Sequence, residues 1–219
     1  MTIVRRRRDR DRRALGVPPP LLTADPTGSD VAAAQTAASI ENVAIALYGQ
    51  APDLPSVQSL GSPARLTVAA LITGAARHHA DHLTAFNAAA TRLGGKAQTA
   101  PDPALASAIV QPALSAPTAA QLLQILAQLE LIAAETYAAQ VVAVSDRQLK
   151  NSFAAMTGVE AQHAAVLLAT ATLLDESKLA SVVFPWDAAA LPATAATDGT
   201  PSAFLRTDQA RPPTEGAAR

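Results

Sequence analysis

The sequence contains no cysteine. That removes disulfides, thiolate metal sites and a cysteine nucleophile together, and it leaves the redox compartment open. Aromatic residues are almost as scarce, at 3% of 219 residues: one Trp, two Tyr and four Phe. A core must therefore be assembled mainly from Ala, Leu and Val. No stretch reaches the roughly 18 uninterrupted apolar residues of a membrane span. Also missing are a Gly-rich phosphate loop, a serine nucleophile elbow and any nucleic-acid-reading motif.

What remains is 49% hydrophobic. Alanine is the strongest helix former, so an Ala- and Leu-rich chain with few aromatics leans to an all-α fold. The length suits one well-packed core with tails and does not demand two domains.

The net charge of −1 conceals an asymmetry. Residues 1–13 hold seven Arg against Asp9 and Asp11. Taking these from the totals of 17 basic and 18 acidic residues leaves 10 and 16, so the body is acidic and only the arm is basic. The arginines are followed by Ala-Leu-Gly-Val and Pro18-Pro19-Pro20 in place of the apolar run of an export signal. The expectation is a cytoplasmic protein, with export left open should the true start lie elsewhere. An Arg arm can contact phosphate through charge alone. The acidic body and the lack of interleaved aromatics argue against nucleic acid as a partner.

Punctuation along the chain divides it into three parts. Residues 1–28 read as a disordered Arg/Pro-rich arm and 181–219 as a Pro-rich extended tail, anchored at first by Phe184 and Trp186. Between them, 29–180 carries four long helical patterns. The first runs from Ser29-Asp30 to about Gln50, the second from Ser62-Pro63 to Gly94-Gly95. The third starts at Pro117-Thr118 and reaches about Val144, and the fourth runs from Ser145-Asp146 to about Leu179. The segment 94–117 holds four prolines and one short helix around Ala104–Val110. Two short links and one long one predict two antiparallel hairpins joined by a crossover, a four-helix bundle of ferritin-like connectivity.

Polar residues interrupt the apolar stripe of every long helix. The fourth reads Leu149, Phe153, Met156, Glu160, His163, Leu167, Thr170, Leu174, and the second Val68, Ile72, Ala75, His79, His82, Phe86, Ala89, Leu93. This register selects His79 over His78, which lies about 100° around the helix and joins Arg77 and Asp81 on a solvated face. The third helix places Glu130 and Tyr137 on its stripe, with Glu135 about 140° from Glu130 as a weaker candidate. The first places Glu41 and Tyr48. Ile40–Tyr48 aligns with Leu129–Tyr137, and both copies set Glu and Tyr seven residues apart. The pattern is an internal repeat of a helical hairpin.

Buried carboxylates and imidazoles cost several kcal/mol each unless something pairs with them. Two facing sets of them point to a metal ion, and each tyrosine is placed to donate a hydrogen bond to a metal-bound carboxylate.

Glu160-Ala161-Gln162-His163, together with the inward glutamates, resembles the di-iron carboxylate proteins of the ferritin-like superfamily. Within it the chain is most similar to bacterial ferritin-like domain proteins grouped with desiccation-related proteins, over roughly residues 30–180. There each half supplies one Glu from its first helix and Glu-x-x-His from its second. The resemblance implies Glu41, Glu130, Glu160, His82 and His163 as ligands, with His79 a sixth. His79 stands where the family has a bridging glutamate, so the site's negative charge falls from four to three. A symmetric di-iron centre is thereby disfavoured against a single iron, manganese or zinc ion or an asymmetric pair. The function so implied is a metal-binding protein, with possible oxidation of Fe(II) by dioxygen or peroxide in metal handling or oxidative and desiccation stress, in a bundle free to form homo-oligomers. The competing expectation is a non-enzymatic structural or interaction bundle whose metal site has degenerated.

Overall fold

The computed structural model describes residues 26–175 and 207–218. The sequence-based placements of the arm, of Phe184 and Trp186, and of the last helix beyond Asp175 fall largely or wholly outside these residues. Among the described residues the structure is helical, with no strand.

The elements are α1 (Pro26–Gln50), a 3-10 turn (Ala51–Asp53), α2 (Pro55–Gln58), α3 (Ala64–Arg92), α4 (Pro103–Leu114), α5 (Ala119–Ala143) and α6 (Arg147–Asp175). The described residues thus hold six α-helices where the sequence pattern predicted four long and one short. The addition, α2, is a single turn that starts on Pro55, a residue preset for the first helical position. The short helix α4 extends four residues beyond Val110 and contains Pro112. Its start is fixed by Asp102, whose carboxylate accepts the Leu105 amide.

Local chemistry sets the other boundaries. Gly94 ends α3 with φ +89°, a conformation only glycine adopts without strain. Gly94 N then donates to Thr91 O and Gly95 N to Ala90 O, satisfying carbonyls the helix leaves open. The first helix begins at Pro26, earlier than Ser29-Asp30, so Asp30 is free for another task. Its buried carboxylate accepts the amides of Ser145 and Asp146, while Asp146 accepts Leu149 N. One residue of α1 thereby fixes the turn between α5 and α6. Arg92 at the end of α3 pairs with Asp146 at 2.6 Å, gathering the same ends of the helices together.

Helices α1 and α3 pack along their length, as do α5 and α6; α3 and α6 meet far less extensively. Residues 33–41 of α1 are buried all round, as are most of 129–137 in α5. Residues 207–218 supply the outer cover. Gln209 N donates to Glu135 Oε2 at 2.8 Å and Arg211 N to Thr136 Oγ1 at 2.9 Å. Thr36 Oγ1 donates to Pro213 O, and Gly216 N donates back to Thr36. A Cβ on Gly216 would meet Ser39 Oγ at 1.9 Å, so this contact requires glycine. By length and composition α5 is apolar enough to cross a membrane, but most of it is buried among the other helices, as a core helix should be.

Candidate metal centre

Four helices each deliver their stripe-interrupting residues to one place. Glu41 comes from α1, His79 and His82 from α3, Glu130 from α5, and Glu160 and His163 from α6. The i,i+3 spacing on α3 and α6 sets two side chains side by side on one helical face. Every carboxylate is buried, and so are His79 and His82; His163 is partly exposed.

His79 lies at the middle. Its Nδ1 is 2.8 Å from Glu41 Oε2 and its Nε2 is 3.1 Å from Glu130 Oε1. His82 Nδ1 is 2.8 Å from Glu160 Oε1 and 3.5 Å from Glu41 Oε1. His163 Nδ1 is 3.0 Å from Glu160 Oε2 and 3.3 Å from Glu130 Oε2. The tyrosines cross between the halves. Tyr48 of the first repeat donates to Glu130 of the second, and Tyr137 of the second donates to Glu41 of the first at 2.5 Å.

The electrostatics follow from burial against pairing. Burial pushes the Glu41 and Glu130 carboxyls up, but the histidines outweigh it and leave both below the usual carboxylate range. Glu160 goes the other way: burial, reinforced by Glu41 and Glu130, raises it despite its bonds to His163 and His82. Burial alone would lower the imidazoles. The carboxylates overcome it, raising His79 well above its ordinary value and pushing His82 and His163 up to about 9. Both phenols are raised well above 10, first by burial and then by the glutamates, so they stay protonated donors. Without a metal the cluster therefore sets three raised imidazoles against three acidic groups.

Two candidates off the stripes behave differently from expectation. Glu135 is spent on the Gln209 amide, on the far side of α5 from the cluster's partners. His78 is exposed, as its phase demands, yet it does more than face solvent. Its Nδ1 lies 2.9 Å from His163 Nε2, with the rings nearly parallel at 11° and centroids 5.2 Å apart. His78 is lowered, first by burial and then by His163, His82 and His79. The sequence register could not find it, because periodicity fixes a face of α3 and not which residue of α6 an off-stripe ring meets.

A model of the ferritin-like domain matches residues 29–173. The chain belongs to the ferritin-like domain family. No curated protein and no solved structure matches it. The matched span of the ferritin-like domain contains all six clustered residues and both tyrosines.

The donor atoms fit a cation. Glu41, His79, His82 and Glu160 offer ligand atoms within 4.8 Å of one another, as do His79, Glu130, Glu160 and His163. Carboxylate oxygens with imidazole nitrogens, and no thiolate, suit iron, manganese or zinc better than soft ions.

Proposed function

We propose that the four long helices form a ferritin-like four-helix bundle whose buried cluster is a divalent-metal centre. Iron is the first candidate ion, and manganese and zinc are the alternatives. One observation carries this reading: six ligand-capable side chains from four helices converge on one place in the interior of the protein. Uncompensated, such a group of charges costs several kcal/mol, which a bound cation offsets.

The chain's own residues divide the work. Glu41, Glu130 and Glu160 supply charge and His79, His82 and His163 supply nitrogen donors. Tyr48 and Tyr137 hold Glu130 and Glu41 in place from the opposite half. Phe86, Tyr137 and Phe153 pack together as a buried aromatic group. Iron bound here would supply electron transfer to dioxygen or peroxide, which makes oxidoreductase chemistry in metal handling the proposed activity.

A second reading has its own support. Among the described residues, the buried side-chain atoms left without a partner are Ser56 Oγ, Asp102 Oδ2, Gln140 Oε1 and Arg211 Nε, none of them in the cluster. A centre so well satisfied without metal is what a purely structural bundle would need. Metal analysis after production in iron-supplemented medium separates the two. The metal-centre reading expects bound iron, a higher melting temperature with metal, and loss of both in His82→Ala and His163→Ala. A protein that takes up no Fe(II), Mn(II) or Zn(II) anaerobically, and that these substitutions leave equally stable or more stable, is the structural bundle.

A further inference from the structure

The histidine at position 79 divides the cluster, because its two ring nitrogens point to different halves. Nδ1 meets Glu41 of the first repeat and Nε2 meets Glu130 of the second. Glu160 divides in the same manner, with Oε1 on His82 and Oε2 on His163. Sorting the contacts leaves two ligand sets. One is Glu41 and His82 with one end each of His79 and Glu160; the other is Glu130 and His163 with the opposite ends. Each set keeps its ligand atoms within 4.8 Å.

Resting on the metal-centre reading, we propose that the cluster holds two divalent cations per chain, with the His79 ring bridging them through both nitrogens. A ring that ligates on both sides carries a proton on neither, because each lone pair faces a cation. The protons held by His79 in the metal-free protein pass to solvent on loading. Charge favours this arrangement. Three carboxylates with neutral imidazoles carry three negative charges, and two divalent cations would leave a buried excess of one positive charge. A bridging imidazolate supplies the fourth negative charge, and the site is neutral. The substitution that removes a carboxylate thus keeps the capacity for two cations and alters how they are joined.

The full chain, loaded anaerobically with Zn(II) and followed by equilibrium dialysis, is expected to bind two cations. Loaded with two equivalents of Cu(II), it should lose most of its electron paramagnetic resonance intensity, because a bridging imidazolate couples the two spins antiferromagnetically. In His79→Gln the signal of uncoupled Cu(II) should return. Should that variant fail to fold, the parent protein decides alone. One Zn(II) per chain, or two Cu(II) ions with full uncoupled intensity, overturns the bridge and leaves the metal centre standing. Failure to bind any cation overturns the metal centre and the bridge together.

Discussion

The hairpin of α1 and α3 brings Glu41, Tyr48, His79 and His82 to the centre, and the hairpin of α5 and α6 brings Glu130, Tyr137, Glu160 and His163. In their first helices the halves are equivalent: each glutamate is lowered by histidines and each is held by the other half's tyrosine. Their second helices differ by one residue, His79 against Glu160, and that residue changes the charge of the whole site. The comparison teaches that the symmetric part of the centre is its scaffold of Glu and Tyr. The asymmetric part is the pair of residues that faces both halves at once.

The largest expected effect comes from breaking the symmetric scaffold. Glu130→Ala leaves Tyr48 and His79 Nε2 without an acceptor and removes one of the two carboxylates facing His163, and should cost the metal-free protein about 3–5 kcal/mol in urea denaturation. Glu160→Gln should cost less, about 1–3 kcal/mol, because the amide keeps an acceptor oxygen beside His82 and His163. Equal losses would show that the carboxylates are interchangeable.

His79→Glu makes the halves alike. It replaces a donor to Glu41 and Glu130 with a fourth acid, so the metal-free protein should lose about 3 kcal/mol. Saturating Mn(II) should then raise the melting temperature more than in the parent, since the added charge favours the cation. A variant as stable as the parent without metal would contradict the charge balance described above.

Tyr48→Phe and Tyr137→Phe test the crossed hydrogen bonds. Each removes one donor to a buried carboxylate, and each should cost about 1.5–3 kcal/mol. Losses that differ widely would show that the first helices are less alike than their geometry. His78→Ala is the smallest change. It frees His163 Nε2, a contact the first half lacks, and should weaken metal binding by about tenfold with little effect on folding. Unchanged affinity would remove His78 from the centre.

Much of this was legible in the sequence. Glu41, Glu130, Glu160, His79 and His82 interrupt apolar stripes, and a core helix tolerates such interruptions only where partners wait. The Glu–Tyr spacing of seven marked the repeat, and Gly94-Gly95 marked the end of α3. That each tyrosine serves the opposite half was not legible, because periodicity fixes a face and not the partner across it. His78 escaped because its role depends on His163 of α6 lying opposite it, a tertiary fact. The docking of 207–218 escaped as well. It relies on backbone amides and carbonyls meeting Gln35, Thr36, Gln98, Glu135 and Thr136, and a Pro-rich composition carries no trace of that.

The protons on the histidines offer the most direct test. His82 and His163 rise from 6.5 to about 9 on folding, so their contribution to metal-free stability is complete below pH 6.5 and is lost as pH rises through 9. A cation needs these nitrogens unprotonated, so its binding must expel the protons. The measurement is anaerobic calorimetric titration of Mn(II) or Zn(II) at neutral pH in buffers of different ionisation enthalpy. A heat that changes with the buffer, corresponding to release of more than one proton per chain, is the predicted result. No binding heat, or a heat independent of the buffer, would contradict the assignment of the buried cluster as a metal centre.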